Sequence, residues 1–323
     1  MDLELTSLID LYAATKQTEG RSPKTIGWYR NMLGRFERFV SNGHPARLSD
    51  LSIDDARAFV ASLQSKTSRY QDHPFLKPKD GGLSPHTIHG YVRSLKAFSS
   101  WLAEEGLTDT NIFSRLKRPK LPDSMIEILS DDELQQLFDC MNPNRPYGAR
   151  MYAMCLVLLD TGIRASELCT LSLENTYLDD DVLKVVGKGN KERMVPFGST
   201  TKRALVRYVT VWRPEPLDDQ TTELFLSIDR VPLTTGALRQ AIKRVGKRAG
   251  IPRLHPHLFR HTFAVRYLMN GGDVMTLKLI LGHTTLDVTQ MYMHLAESHV
   301  KVQHHRFSPA DRLKLNRRKG RKR

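Results

Sequence analysis

Apolar positions in the first third of the chain recur at helical spacing and nowhere alternate convincingly at period two. Ile26, Tyr29, Leu33 and Phe36 follow one another at intervals of 3, 4 and 3 residues, and so do Ile88, Tyr91, Leu95 and Phe98. Each set makes one apolar helical face. The two segments are also copies, because Ser22-Pro23-Lys24-Thr25-Ile26 matches Ser84-Pro85-His86-Thr87-Ile88 at an offset of 62 residues. Serine then proline is the chemistry of a helix start: the hydroxyl accepts a first-turn N–H, and proline lacks a donor that would have no helical partner there. Between them Ser52-Ile53-Asp54-Asp55 opens a third helix that runs to about Lys66. Residues 67–83, with Pro74, Pro78, Gly81 and Gly82, read as a loop.

The pattern changes after residue 118. Lys117, Arg118, Pro119, Lys120 and Pro122 form a basic, proline-containing stretch that stays extended, so a helical domain over 1–118 and a linker over 119–129 are expected. Ser130-Asp131-Asp132-Glu133 caps a new helix, and a largely apolar helix follows from about Met151 to Leu159. Only here do strands become convincing. Val182–Val186 and Arg193–Pro196, separated by Gly187-Lys188-Gly189-Asn190, predict a β-hairpin, and Glu223–Ser227 is a candidate further strand. The remainder reads as helical. The fold class is therefore mainly α with a small β-sheet in the C-terminal domain, divided as 1–118, 119–129, 130–296 and a terminal segment 297–323.

Length and charge sharpen this reading. A chain of 323 residues holds two domains with sizeable cores. Its apolar runs fall short of the roughly 20 residues that span a bilayer, and Met1-Asp2-Leu3-Glu4 has neither a basic start nor an apolar stretch, so a cytoplasmic protein is expected. Cys140, Cys155 and Cys169 form no CxxC pair and read as structural thiols. The net charge of +14 suits a polyanionic partner, from which such a surface would release counterions. Six of those charges lie in the last eight residues, Asn316–Arg323, a basic arm of the kind that binds nucleic acid without sequence preference. In the duplicated helices Arg30, Arg35 and Arg38, then His86, His89, Arg93 and Lys96, lie opposite the apolar faces; each is a candidate DNA contact, or simply part of a solvated face.

Polar residues also stand where a plain helical domain has no need of them. Arg164 follows Thr161-Gly162-Ile163, Lys188 lies at the hairpin tip, and His257 and Arg260 begin a helix. His283 follows Leu281-Gly282 at a helix end, with Tyr292 nine residues later. Singly, each has an ordinary explanation as a surface cation, a structural histidine or a core tyrosine. In this order, however, the strings Thr161-Gly162-Ile163-Arg164-Ala165-Ser166-Glu167-Leu168, Gly187-Lys188-Gly189-Asn190-Lys191-Glu192-Arg193, His257-Leu258-Phe259-Arg260-His261-Thr262-Phe263-Ala264, Leu281-Gly282-His283 and Gln290-Met291-Tyr292-Met293-His294 resemble the active site of the tyrosine recombinases, the family of the phage integrases and of the Xer and Cre recombinases. Phe259 stands where leucine is common in that family. The resemblance is strong over 150–296 and weak over 1–118.

That resemblance implies a two-domain enzyme, with a helical core-binding domain and an α+β catalytic domain clamping duplex DNA. Tyr292 would be the nucleophile, giving a 3′-phosphotyrosine; Arg164, Arg260 and His283 would bind the phosphate, His257 would be the general base and Lys188 the general acid. It also implies a homotetramer on two DNA sites, a dimer on each, exchanging strands through a Holliday junction to integrate, excise or resolve DNA such as a mobile element. Glu297–Phe307 is then the candidate protomer-docking segment. Neither metal nor cofactor is expected: His257 and His261, with His255 nearby, lack an HExxH pattern, Arg260 between them opposes a cation, and no GxxxxGK[ST] loop is present. Two rival readings are a type IB topoisomerase, which cuts and reseals one strand, and a catalytically silent DNA-binding regulator.

Overall fold

The computed structural model describes residues 2–41, 43–69, 77–121, 126–187, 189–282, 304 and 308–312. The chain divides into two compact units, Met1–Ser124 and Met125–Arg323.

The first unit is built on four helices, α1 (Leu5–Thr18), α2 (Pro23–Ser41), α3 (Ile53–Ser65) and α4 (Pro85–Glu104). The duplicated starts fold alike. Ser22 Oγ accepts from the Thr25 amide at 3.3 Å and Ser84 Oγ from the Thr87 amide at 3.2 Å, and each serine hydroxyl also lies 2.9 Å from the threonine hydroxyl. Ser52 and Asp55 close a reciprocal capping box on α3. Leu33, Phe36, Ile88, Tyr91, Leu95 and Phe98 are buried as their spacing requires, while Ile26 and Tyr29 are half-buried. Aromatic edges meet faces through this core, Tyr12 with Phe98 at 5.4 Å and Phe36 with Phe59 at 5.3 Å. One segment departs from expectation. Within 67–83 a two-residue antiparallel ladder, β1 (Ser68–Arg69) on β2 (Lys79–Asp80), replaces plain loop, closed by the Gly81 amide donating to Thr67 O at 2.9 Å.

The second unit contains α5 (Asp131–Asp139), α6 (Pro146–Thr161), α7 (Ala165–Cys169), strands β3 (Thr176–Tyr177), β4 (Val182–Val186) and β5 (Glu192–Pro196), then α8 (Ser199–Arg207), α9 (Thr235–Arg248), α10 (Pro256–Met269) and α11 (Val274–Leu281). Helix α6 is longer than its apolar run because Pro146 starts it a turn earlier, and it is buried almost all round, packed on α8 and α10. The hairpin forms with Val186 opposite Glu192, and β3 adds an unforeseen third antiparallel strand to β4. Glu223–Ser227 does not join that sheet. Leu224, Phe225 and Leu226 are all fully buried, so the segment wedges into the core instead of alternating, and it makes only the isolated bridges Ser172–Glu223 and Leu226–Pro232.

The end of the expected linker is also part of this core. Leu129 is fully buried; its amide donates to Thr262 Oγ1 at 2.9 Å and its carbonyl accepts from Arg266 at 3.0 Å, which ties the entry of the unit to α10. Cys155 and Cys169 are buried, which pushes both thiols up, Cys169 to about 11, whereas Cys140 is half-buried. Among the described residues no helix is long and apolar enough to cross a membrane.

Candidate active site

Three elements carry the described candidates to one place. Helix α6 ends at Gly162, whose φ of +60° turns the chain sharply into Ile163 and Arg164. A side chain could not replace that glycine, because a Cβ there would lie 2.4 Å from Phe263 and 2.8 Å from Leu281. Arg164 is the residue that caps α7. Its amide donates to Glu167 Oε2 at 2.7 Å and its Nη1 to Glu167 Oε1 at 2.8 Å. Arg260, one turn into α10, is only 4% exposed, and donates from Nη1 to Gly162 O at 2.7 Å and from Nη2 to Leu281 O at 2.9 Å. Arg164 Nη2 reaches the next carbonyl, Gly282 O, at 3.4 Å.

Residues 164 and 260, far apart in the chain, thus converge on consecutive carbonyls at the end of α11. The last carbonyls of a helix have no helical donor and carry its negative dipole end, so arginines are well matched to them. Gly282, at φ +63°, then turns the chain out of α11 toward His283.

His257 stands in the first turn of α10, at the surface. Its pKa is lowered below the ordinary 6.5, first by desolvation and then by the positive charges of Arg260, His255, Arg239 and Arg164. Desolvation above all, with the charges of both arginines added, disfavours the protonated imidazole and favours the neutral form, which can accept a proton. His261 is lowered in the same direction by burial and by its neighbours His257, His255 and Arg260. Among the described residues no group of histidines, cysteines and carboxylates could hold a metal ion. Lys188, His283 and Tyr292, together with nearly all of Glu297–Phe307 and the 316–323 arm, lie outside the described residues.

Two residues that sequence reasoning did not single out organise this site. Glu167, 2% exposed, receives Arg164 on one side and a parallel two-point contact from Arg193 on the other, Nη1 to Oε1 and Nη2 to Oε2 both at 2.9 Å. Burial would raise its pKa, but the hydrogen bonds from Arg193 and the Arg164 amide outweigh that and hold it at about 2. Strand alternation carried a signal for Arg193. In β5, Val195 is buried and Met194 is 55% exposed, so Arg193 shares the inward face with Val195, and an inward arginine demands a buried acid.

The candidate DNA contacts of the first unit separate in the structure. His86, His89 and Arg93 line one cleft of about 370 Å³ with Trp28, Met32, Thr87 and Gly90, and the Arg93 guanidinium lies 4.8 Å over the Trp28 ring. Arg30 pairs with Asp10 at 3.2 Å, and Arg35 donates to the Tyr91 hydroxyl at 2.9 Å. The Lys96 ammonium donates to three carbonyls, Phe113 at 3.4 Å, Ser114 at 2.5 Å and Leu116 at 3.1 Å, and so clamps the turn after α4.

The same stretch of chain answers to a known family. Residues 127–299, more than half the protein, match the model of the phage integrase family. The chain belongs to that family. It is thereby a tyrosine recombinase, an enzyme that breaks and rejoins DNA strands. A tyrosine recombinase XerC of Oceanobacillus iheyensis is 30% identical over 311 residues, which cover 95% of this chain and 97% of the relative. A tyrosine recombinase XerD of Staphylococcus aureus is 30% identical over 308 residues, covering 94% and 99%. Among solved structures, the Tn1549 transposon integrase in complex with a circular intermediate DNA superposes with a TM-score of 0.72 at 18% identity, over 93% of this recombinase and 99% of that chain. The XerH site-specific recombinase in a post-cleavage complex with its difH substrate gives 0.69 at 18% identity, over 92% and 83%. These two likenesses concern the fold.

Proposed function

We propose that this recombinase cuts duplex DNA at a specific site through Tyr292, holds the strand as a 3′-phosphotyrosine with a free 5′-hydroxyl, and reseals it to a second 5′-hydroxyl. The observation that carries the reading is the convergence of Arg164 and Arg260, with His257 inside their field, at the turn that leads into His283. A phosphodiester attacked by oxygen accumulates negative charge on its nonbridging oxygens, and fixed guanidinium groups stabilise that charge without reorganising. The Tyr292 hydroxyl, with an ordinary pKa of about 10, must lose its proton as it attacks, and neutral His257 accepts it. Lys188 protonates the departing 5′ oxygen. His283 adds a hydrogen bond to the phosphate. The covalent link preserves the energy of the broken bond, so resealing needs no nucleotide.

In this reading residues 1–118 grip the DNA core site, using the cleft of His86, His89 and Arg93, and 130–296 carry the chemistry. Two protomers occupy each DNA site, and four bring two sites together in the cytoplasm. Residues 297–323 dock on a neighbouring protomer and add charge at their basic end. Complexes of related recombinases with DNA support the choice of partner.

The test is Tyr292→Phe. Wild-type protein incubated with fragments of DNA flanking its own gene should yield a covalent protein–DNA adduct resistant to denaturant, while the variant binds the same fragment and yields none. An undiminished adduct from Tyr292→Phe would remove Tyr292 from the mechanism.

A further inference from the structure

Arg193 braces the frame of the site. Besides its two-point contact with Glu167, it donates from Nε to Ile280 O at 2.7 Å, and its side chain packs so closely on Gly282 that a Cβ added there would lie 3.1 Å from Arg193 Cδ and Nε. Three successive carbonyls at the end of α11 are thus each held by a different arginine: Ile280 by Arg193 from β5, Leu281 by Arg260 from α10, and Gly282 by Arg164 from the start of α7. Arg193 joins the carboxylate that orients Arg164 to the end of α11, and it does so from β5.

We propose that Arg193 is a positioning residue for strand cleavage, which locks Glu167, and through it Arg164, to the end of α11 so that the phosphate-binding groups are held in one register. The proposal rests on the recombinase reading given above. Its physical basis is the geometry of the guanidinium. Three donors in one plane serve Glu167 and Ile280 O together, a task that the single ammonium of lysine cannot share in the same directions. Removing Arg193 also leaves Glu167 with Arg164 as its remaining charged partner, which draws Arg164 toward the carboxylate and away from a phosphate. Displacement of a reacting group by about 1 Å can cost on the order of 100-fold in rate.

The experiment compares wild type, Arg193→Gln and Arg193→Lys in single-turnover adduct formation on the duplex at which wild-type protein is trapped. Two versions of that duplex are used, one with the ordinary scissile phosphate and one with a methylphosphonate, which lacks the anionic oxygen and so depends less on precise guanidinium placement. Both variants should bind the duplex as wild type does. Both should be slowed on the order of 100-fold on the phosphate and by a much smaller factor on the methylphosphonate. Arg193→Lys retains the charge and guards against a variant that fails to fold. Wild-type rates, or the same loss on both substrates, would overturn the positioning role, the second because general damage to the fold does not distinguish the two. The wild-type lane separates the two hypotheses: a Tyr292-dependent adduct there sustains the recombinase reading whatever the variants do.

Discussion

Glu167→Gln removes an acidic group that holds two arginines inside the catalytic unit, and its cost can be worked from the carboxyl itself. The ordinary pKa is 4.5 and the folded value is about 2. At about 1.4 kcal/mol for each unit, the ionised carboxylate contributes about 3 kcal/mol at neutral pH. The scale agrees with the roughly 3–5 kcal/mol lost when one partner of a buried ion pair is removed. Because the folded pKa is depressed, this stabilisation is complete above pH 4.5 and drains away as pH falls toward 2. At pH 3 about 1 kcal/mol should remain. Urea unfolding measures this if Trp28 and Trp101 are replaced by Phe, leaving Trp212 as the reporter of the second unit. With a urea slope of about 1–3 kcal/mol per molar, the midpoint at pH 7 should fall by about 1 M or more, and the gap between the two proteins should narrow by more than half at pH 3. A midpoint unchanged at pH 7, or a gap independent of pH, would refute the account of Glu167 as a charge held by its hydrogen bonds.

Gly162→Ala should destabilise the same unit by roughly 2 kcal/mol or more, since positive φ and overpacking against Phe263 each carry a cost; Trp212-monitored unfolding checks it, and a neutral result would show that the turn relaxes freely. Lys96→Met should lower the stability of the first unit by roughly 1–3 kcal/mol through its abandoned carbonyls while leaving the salt dependence of DNA affinity unchanged. A salt slope reduced by about one would instead make Lys96 a phosphate contact. His257 is held below pH 6.5 by desolvation and nearby cations, so the acid limb of the cleavage pH–rate profile should lie below that value and move upward in Arg239→Gln, where one of those cations is gone. A limb indifferent to Arg239 would detach it from His257.

Local rules made much of this protein readable from the chain alone. The paired Ser-Pro starts of α2 and α4, the capping boxes at Ser52 and Ser130, and the β4–β5 hairpin all follow from hydrogen bonds and periodicities within a few residues, which no distant partner has to supply. The order Arg164, Lys188, His257, Arg260, His283, Tyr292 was read as a resemblance carried by short strings, and of these the structure describes Arg164, His257 and Arg260. What depended on distant partners was not. Lys96 looked like any exposed cation on a helix until the carbonyls after α4 folded back onto it. Glu223–Ser227 looked like a strand until both of its faces were buried. Glu167 and Arg193 are 26 residues apart, and Arg193 and Ile280 are 87 apart. The sequence states that these charges exist, but only the tertiary structure buries them against one another, and burial turns an acid and a base into a fixed frame by making any other arrangement too costly.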